Sequence, residues 1–221
     1  MEKKYRTEKE DNMLRIIALK DFSDVKKGDK GGLIAREENL SQEGNCWVYD
    51  NAQVYDNAIV KGYAKVSDNA KVYGDAEVDD TACVDEDAQV YDNAIVKGCT
   101  KVSGNAEIFG CARICDSAEV SDNAKVYGNA VIFGSASVYG NARVGGRTMA
   151  WLWANIGGNV KLWSPKTCYI SNFIENNKDY IILAIKREFR IISFSNIDRD
   201  LVEEDYLKNV KTIRRLYGEE I

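Results

Sequence analysis

Hydrophobic positions in the central part of the chain recur every six residues. Across residues 52–144 each hexapeptide carries an alanine and, two positions later, a valine or an isoleucine, with Thr100 as the exception at the alanine position. Weaker copies extend the pattern to residues 46–162, which makes twenty hexapeptides. A strict six-residue spacing cannot stay on one face of a helix with about 3.6 residues per turn. The pattern therefore excludes a helical repeat and favours short strands that bury alternate residues.

Polar and small residues fill the other positions of each hexapeptide. A typical unit, VYDNAI at 54–59, places Asp and Asn between the buried aliphatic residue and the next alanine, and other units use Gly there. These residue types tolerate the tight corner dihedrals that bulkier residues avoid. The unit is similar to the hexapeptide repeat of β-helix proteins, in which three hexapeptides form one triangular coil.

A second period, of 18 residues, supports three hexapeptides per coil. Aromatic residues recur at this spacing, with one gap at Gly145, at Tyr55, Tyr73, Tyr91, Phe109, Tyr127 and Trp163. The sequence therefore predicts an all-β fold, a three-sided parallel β-helix over residues 45–164. A left-handed coil is the norm for this hexapeptide pattern and is expected here.

Both ends of such a helix need caps, because open strand edges and an open core would otherwise face solvent. Residues 1–44 are assigned to an N-terminal arm and cap, with a strand at 13–22 and an arm or short helix at 1–12. Residues 165–221 are assigned to a small C-terminal β-β-α cap, which begins at the single proline, Pro165. Its helix is expected over 200–218, where apolar residues recur at helical spacing after a capping box.

Two columns of the repeat are candidate surfaces. The aromatic column follows an inward aliphatic residue, so its rings are expected to point outward. They could be covered by a second copy of the chain, by its own C-terminal unit or by a ligand, or they could form a plain exposed ladder. It is the candidate binding ladder and contains Tyr55, Tyr73, Tyr91, Phe109 and Tyr127. The amide column is read as a structural corner ladder. It contains Asn51, Asn69, Asn105, Asn123 and Asn141, with Asp87 in the same frame.

A third candidate surface is an acidic cluster, since no basic residue lies between Val72 and Val90. The alternative reading is a solvated face that uses Asp as a turn former, with nearby lysines that soften the charge. The cluster contains Asp75, Glu77, Asp79, Asp80, Asp85, Glu86 and Asp87.

Composition narrows the chemistry. The chain has no histidine, which excludes imidazole general bases, His-ligated zinc and Ser-His or Cys-His nucleophile pairs. The formal net charge is −5 and no segment is rich in Lys and Arg, so binding to a nucleic-acid backbone is not expected. The six cysteines are interpreted as free thiols, and no metal or other cofactor is expected. Without an apolar signal or membrane-spanning segment, a cytoplasmic location is expected, in the host cell if the chain is phage-encoded.

The segment IIALKDFSDVKKGDKGGLI at 16–34 and the run EGNCWVYDNAQVYDNA at 43–58 resemble those of phage and prophage hexapeptide-repeat proteins. Members of that family usually carry a Gly-Cys-Phe motif after the second C-terminal strand, whereas this chain has Ile192–Ser195. The resemblance implies a protein of viral or mobile-element origin without an established activity.

The sequence leaves three functions open. The first is a protein that is not an enzyme and that occludes or sequesters a host factor, either a host-defence protein or a small signalling nucleotide. The second is a purely structural or assembly scaffold, and a homo-oligomer, either a trimer or a dimer, is expected in either case. The third and most remote is a hexapeptide acyltransferase, an enzyme class that uses a catalytic His and an extended loop. A γ-class carbonic anhydrase is excluded because it needs three zinc-ligating His.

Overall fold

The computed structural model describes residues 3–170, 180–185 and 188–193. Within them the chain is almost entirely β-structure, and the single described helix is a 3-10 turn at Glu37–Asn39. Strands of neighbouring coils pair in parallel with an offset of 18 residues, as Val84 does with Val102. The predicted parallel β-helix of 18 residues per coil is therefore confirmed, over about seven coils. The left-handed sense of the coil stays a prediction.

The N-terminal cap is a three-stranded antiparallel meander that continues into the coil. It consists of β1 (Tyr5–Glu10), β2 (Met13–Ala18) and β3 (Lys30–Ile34). β3 then pairs in parallel with Gln53–Val54 of the first full coil, so the parallel ladder begins before residue 45. The sequence predicts an arm or a short helix at residues 1–12. The structure has the strand β1 in this range instead, and β1 pairs with β2 along its whole length.

Each coil contributes one short strand to each of three faces. The first face contains β4 (Trp47–Val48), β7 (Lys65–Val66), β10 (Cys83–Val84), β13 (Lys101–Val102), β16 (Glu119–Val120), β19 (Ser137–Val138) and β21 (Asn155–Ile156). The second face contains β5 (Gln53–Val54), β8 (Lys71–Val72), β11 (Gln89–Val90), β14 (Glu107–Ile108), β17 (Lys125–Val126) and the start of β20 (Arg143–Ala150). The third face contains β6 (Ile59–Val60), β9 (Glu77–Val78), β12 (Ile95–Val96), β15 (Arg113–Ile114), β18 (Val131–Ile132) and the end of β20.

The second residue of each short strand points into the coil, together with the alanine that precedes the strand. Across residues 52–144 all of these inward side chains are buried, with at most 2% of their surface exposed. Thr100, which replaces an inward alanine, is buried as well, and its hydroxyl has no hydrogen-bond partner in the described part of the chain. The core is therefore a narrow column of Val, Ile and Ala with little room for a larger residue.

The corners are built on left-handed backbone. The second residue after each inward aliphatic residue has a positive φ, and this position is mostly occupied by Gly or Asp, as in Gly74 (φ 70°) and Asp80 (φ 58°). Gly has no Cβ penalty in this conformation, and Asp tolerates it better than most other residues. Backbone geometry is thus sufficient to explain the Asp and Gly residues at these corners.

The last coils lead into the C-terminal strands. β22 (Lys161–Ile170) pairs with β20 on both sides of a register shift, and Pro165 lies inside this shift. Proline has no N–H to donate to a strand ladder, and a bulge tolerates it because a residue there need not pair with the neighbouring strand. β23 (Tyr180–Ile185) and β24 (Glu188–Ser193) form the next antiparallel hairpin. The helix expected over 200–218 lies outside the described residues.

Candidate functional site

The aromatic ladder is a continuous stack at the corner that follows the second face. The rings of Tyr55, Tyr73, Tyr91, Phe109 and Tyr127 stack at centroid separations of 4.9, 4.9, 5.0 and 5.3 Å, with interplanar angles of 11° or less. Each ring is half-buried. Stacking uses the faces of the inner rings, so only ring edges and hydroxyls remain for contact with another molecule.

The phenol groups also bind the row of long side chains on the second face. Tyr73 donates a hydrogen bond to Gln89 Oε1 (3.2 Å), and Tyr91 donates one to Glu107 Oε2 (3.2 Å). Lys125 Nζ holds the other oxygen of Glu107 at 2.6 Å. These bonds link the ladder to the second face, so a row of polar groups lies beside the stacked rings.

The C-terminal end of the ladder is shaped by Gly145. A Cβ at this position would lie 2.4 Å from the Tyr127 ring, so the missing side chain lets Tyr127 lie over the next coil. Trp163, one coil further in the same column, has 62% of its surface exposed. The gap at Gly145 therefore separates a packed ladder from an exposed tryptophan.

The ladder tyrosines should make the protein sensitive to alkaline pH. Burial and nearby carboxylates raise the pKa values of Tyr55, Tyr73 and Tyr91, the last also through its hydrogen bond to Glu107. Their stabilising contribution is fully present below the unfolded tyrosine pKa of about 10 and is lost as pH rises through the folded pKa values. We expect the free energy of unfolding to fall above about pH 10. Denaturant titration across this range measures the fall, and a smaller fall in Tyr91→Phe would assign part of it to the ladder.

The amide column lies at the corner that follows the first face. Asn105 donates to Asn123 Oδ1 (3.2 Å), Asn123 to Asn141 Oδ1 (3.3 Å), and Asn141 to Asn159 Oδ1 (3.1 Å). Asn69 donates to Asp87 Oδ1 at 3.2 Å, which brings one residue of the acidic cluster into the same column. Asn51 stands at the exposed start of the column. These contacts tie successive coils together at one corner.

The seven residues of the acidic cluster do not share one surface. Asp75, Asp80 and Glu86 lie on three different corners, and Glu77 lies on the third face. The cluster is an arc around one coil, and several of its carboxylates already have partners within the chain. The contacts are Asn57 to Asp75 (2.8 Å), Lys61 to Glu77 (2.9 Å) and Asp79 (3.5 Å), and Lys101 to Asp85 (3.5 Å).

Asp80 and Glu86 have a backbone role. Asp80 Oδ2 accepts a hydrogen bond from Gly98 N (3.1 Å), and Glu86 Oε2 accepts one from Gly104 N (2.6 Å). These amides belong to the left-handed corner residues of the next coil. The carboxylates thus satisfy donors that the strand ladders leave unpaired.

We expect Asp80→Ala to destabilise the protein more than Asp80→Gly does. Both changes remove the bond to Gly98, but only alanine keeps a Cβ in the left-handed conformation, which costs roughly 1–2 kcal/mol. Chemical denaturation of the two variants measures the difference. Equal stability would show that backbone strain at this corner is negligible.

A buried lysine at the N-terminal end of the coil is a feature that the sequence does not reveal. Lys4 has 1% of its surface exposed, and its Nζ donates to the carbonyl oxygens of Cys46 (2.9 Å), Gly44 (3.4 Å) and Glu43 (3.5 Å) and to Cys46 Sγ (3.3 Å). Cys46 occupies an inward position where later coils have alanine, which was the one available signal. Burial lowers the pKa of Lys4 and raises that of Cys46.

Lys4 also lines a cleft of about 550 Å³. The cleft lies between the N-terminal hairpin and the loop before β4, and its wall contains the ring of Phe22, over which Lys4 Nζ sits at 5.4 Å. Its lining residues are Lys3, Lys4, Lys20, Phe22, Gln42, Glu43, Gly44 and Asn45. The cleft therefore gives small molecules a route to an otherwise buried amine.

No three Cys, Asp or Glu side chains of the described residues are grouped as a metal site would require. No helix in the same part of the chain is long and apolar enough to cross a membrane.

Comparison with known proteins agrees with the fold. The family model described as YdcK Beta solenoid repeat matches residues 52–68 and 124–140, both within the coils. The uncharacterized acetyltransferase YdcK of Escherichia coli (strain K12) is 54% identical over 44 residues. That stretch covers 20% of this chain and 14% of the relative, so the chain spans only a small part of the protein that it matches.

The relative's name contradicts the expectation that this chain is not an enzyme. That expectation rested on the missing histidines, which exclude imidazole chemistry but leave Lys, Cys, Asp and Glu available for acid–base and nucleophilic steps. The matched stretch is short, and it supports the assignment of the central residues to a solenoid repeat. The chain is thus a hexapeptide-repeat β-solenoid, similar in its coils to the YdcK solenoid repeat.

Proposed function

We propose that the chain is an assembly scaffold that pairs side by side with a second copy of itself through the aromatic ladder and the second face. The observation that carries the proposal is the uninterrupted stack of five half-buried aromatic rings along one corner. Such a stripe offers apolar contact along about four coil spacings, and monomeric proteins seldom leave so long a stripe uncovered.

The ladder is suited to an antiparallel pair because it is symmetric about its centre. Tyr91 is the middle ring, with two aromatic rings on each side. A two-fold axis at this coil would set Tyr73 of one copy beside Phe109 of the other. It would also set Tyr55 of one copy beside Tyr127 of the other. Isologous pairing of this kind is the commonest way in which soluble chains form dimers.

The charges of the second face fit the same axis. Lys71 lies one coil before Gln89, and Glu107 lies one coil after it. The axis therefore brings Lys71 of each copy to the level of Glu107 of the other, which gives two equivalent pairs of opposite charge. Opposite charges at matching positions favour this orientation over a parallel one, in which like charges would meet.

Site-specific photo-crosslinking tests the proposal. Benzoylphenylalanine in place of Gln89, on the second face, should link two copies on irradiation. The matched control has the same residue in place of Glu119, which is exposed on the first face, and should give no dimer. Equal linkage from both positions, or none from position 89, would overturn the proposal.

The capture of a host factor, the phage origin and the cytoplasmic location expected from the sequence stay predictions. The matched relative is named for acetyl transfer, which gives no support to a host factor. A nucleotide ligand would have to bind elsewhere than on the inner ladder rings, whose faces are occupied by stacking.

Acetyl transfer is a second candidate, and it rests on the relative's name alone. Incubation with acetyl-CoA and a panel of amine and hydroxyl acceptors, followed by detection of free thiol, tests it. Release of CoA above the uncatalysed rate would support the second candidate. No release would leave the scaffold as the single proposal.

A further inference from the structure

We propose that Lys4 and Cys46 form an oxidative modification site, in which hydrogen peroxide joins Lys4 Nζ to Cys46 Sγ by a covalent S–N bond. The bond would lock the N-terminal end of the chain onto the first coil. Reduction by a thiol would release it.

The two reacting atoms are already in contact. Lys4 Nζ lies 3.3 Å from Cys46 Sγ, and both side chains are buried. Three carbonyl oxygens hold the amine in place beside the sulfur. Because the geometry is preformed, bond formation needs a short movement of one flexible side chain.

The chemistry takes place in two balanced steps. The thiol of Cys46 reacts with one hydrogen peroxide to give a sulfenic acid and one water, so sulfur loses two electrons and peroxide is reduced. The neutral amine of Lys4 then attacks the sulfenic sulfur, the S–N bond forms, and the hydroxyl leaves with an amine proton as a second water. Condensation of a sulfenic acid with a backbone nitrogen is an established branch of cysteine oxidation, and we infer that the Lys4 amine takes the place of that nitrogen here.

Burial has opposite effects on the two steps. It raises the pKa of Cys46, which slows the first step, although the charge of Lys4 opposes this shift. It lowers the pKa of Lys4, which increases the share of neutral amine for the second step. Peroxide is small enough to enter the cleft that Lys4 lines. We therefore expect slow oxidation that ends at the S–N bond.

The other thiols are internal controls. Cys99 and Cys111 are exposed, and no lysine amine of the described residues donates a hydrogen bond to either sulfur. They should oxidise faster than Cys46 and proceed to disulfides or to higher oxides. The linkage should be confined to position 46.

The test is peptide mass spectrometry of the full-length protein after treatment with hydrogen peroxide. The expected product is one peptide pair joined between residues 4 and 46, lighter by two hydrogens than the sum of the free peptides and absent after reduction with dithiothreitol. The N-terminal end should also become more resistant to proteolysis. Both effects should vanish in Cys46→Ala, which restores the alanine of the other coils and should therefore fold.

A second variant separates chemistry from packing. Lys4→Arg keeps a cation at the same place but has no reactive amine, so oxidation of that variant should give no linked peptide. The proposal is wrong if residues 4 and 46 stay unlinked in the wild-type chain while Cys99 and Cys111 are oxidised. It is also wrong if Cys46 becomes a sulfinic acid at the same rate in wild type and Lys4→Arg.

Discussion

Ile108→Ala should lower the free energy of unfolding by about 2–5 kcal/mol. Ile108 is fully buried in the second-face column, and β14 pairs with a coil on either side, through Val90 and Val126. Because parallel ladders hold the neighbouring coils at fixed spacing, the coil cannot collapse into the space that the side chain leaves. Chemical denaturation measures the loss.

The matched control is Ile108→Val, which gives this coil the residue that its neighbours carry. It should cost only about 0.5–1.5 kcal/mol. If both variants lost the same free energy, or if the alanine variant lost less than the valine one, the inward column would not be the core of the fold.

Tyr91→Ser combined with Phe109→Ser should convert the proposed dimer into a monomer. The two changes remove the centre of the aromatic ladder, where the binding energy of an interface concentrates, and leave the inward Val and Ala residues untouched. The mass in sedimentation equilibrium should fall to 24.8 kDa, while the circular dichroism of the β-solenoid is retained.

A control on the same two coils separates the ladder from general surface effects. Lys97→Ser combined with Cys115→Ser changes the corner after the third face, which has no part in the proposed interface. This variant should sediment as the wild-type protein does. A monomeric control variant, or a dimeric ladder variant, would contradict the role of the ladder.

The coils could be predicted from the sequence because every determinant in them is local and repeated. An inward Val, a left-handed Asp or Gly and an inward Ala recur in each hexapeptide, so the position of one coil predicts the position of the next. The stack of Tyr73 on Tyr91 follows from the same arithmetic, since residues 18 apart must lie above one another.

Features that depend on a single long-range contact could not be predicted in this way. β1 is a strand because of its partner β2, and its own charged sequence did not indicate one. The acidic cluster looked like one surface because its members are close in sequence, whereas the coil distributes them over three corners and the third face. Lys4 is one of several lysines near the N-terminus, and only the fold places it beside Cys46.

Small-angle X-ray scattering of the unmodified chain tests the side-by-side scaffold most directly, because it gives mass, length and cross-section together. A side-by-side pair should have about twice the mass of 24.8 kDa, with a wider cross-section and the length of a single solenoid, whose coils span roughly 30 Å at the usual strand spacing. A particle of 24.8 kDa, or a doubled mass with a doubled length and an unchanged cross-section, would contradict it.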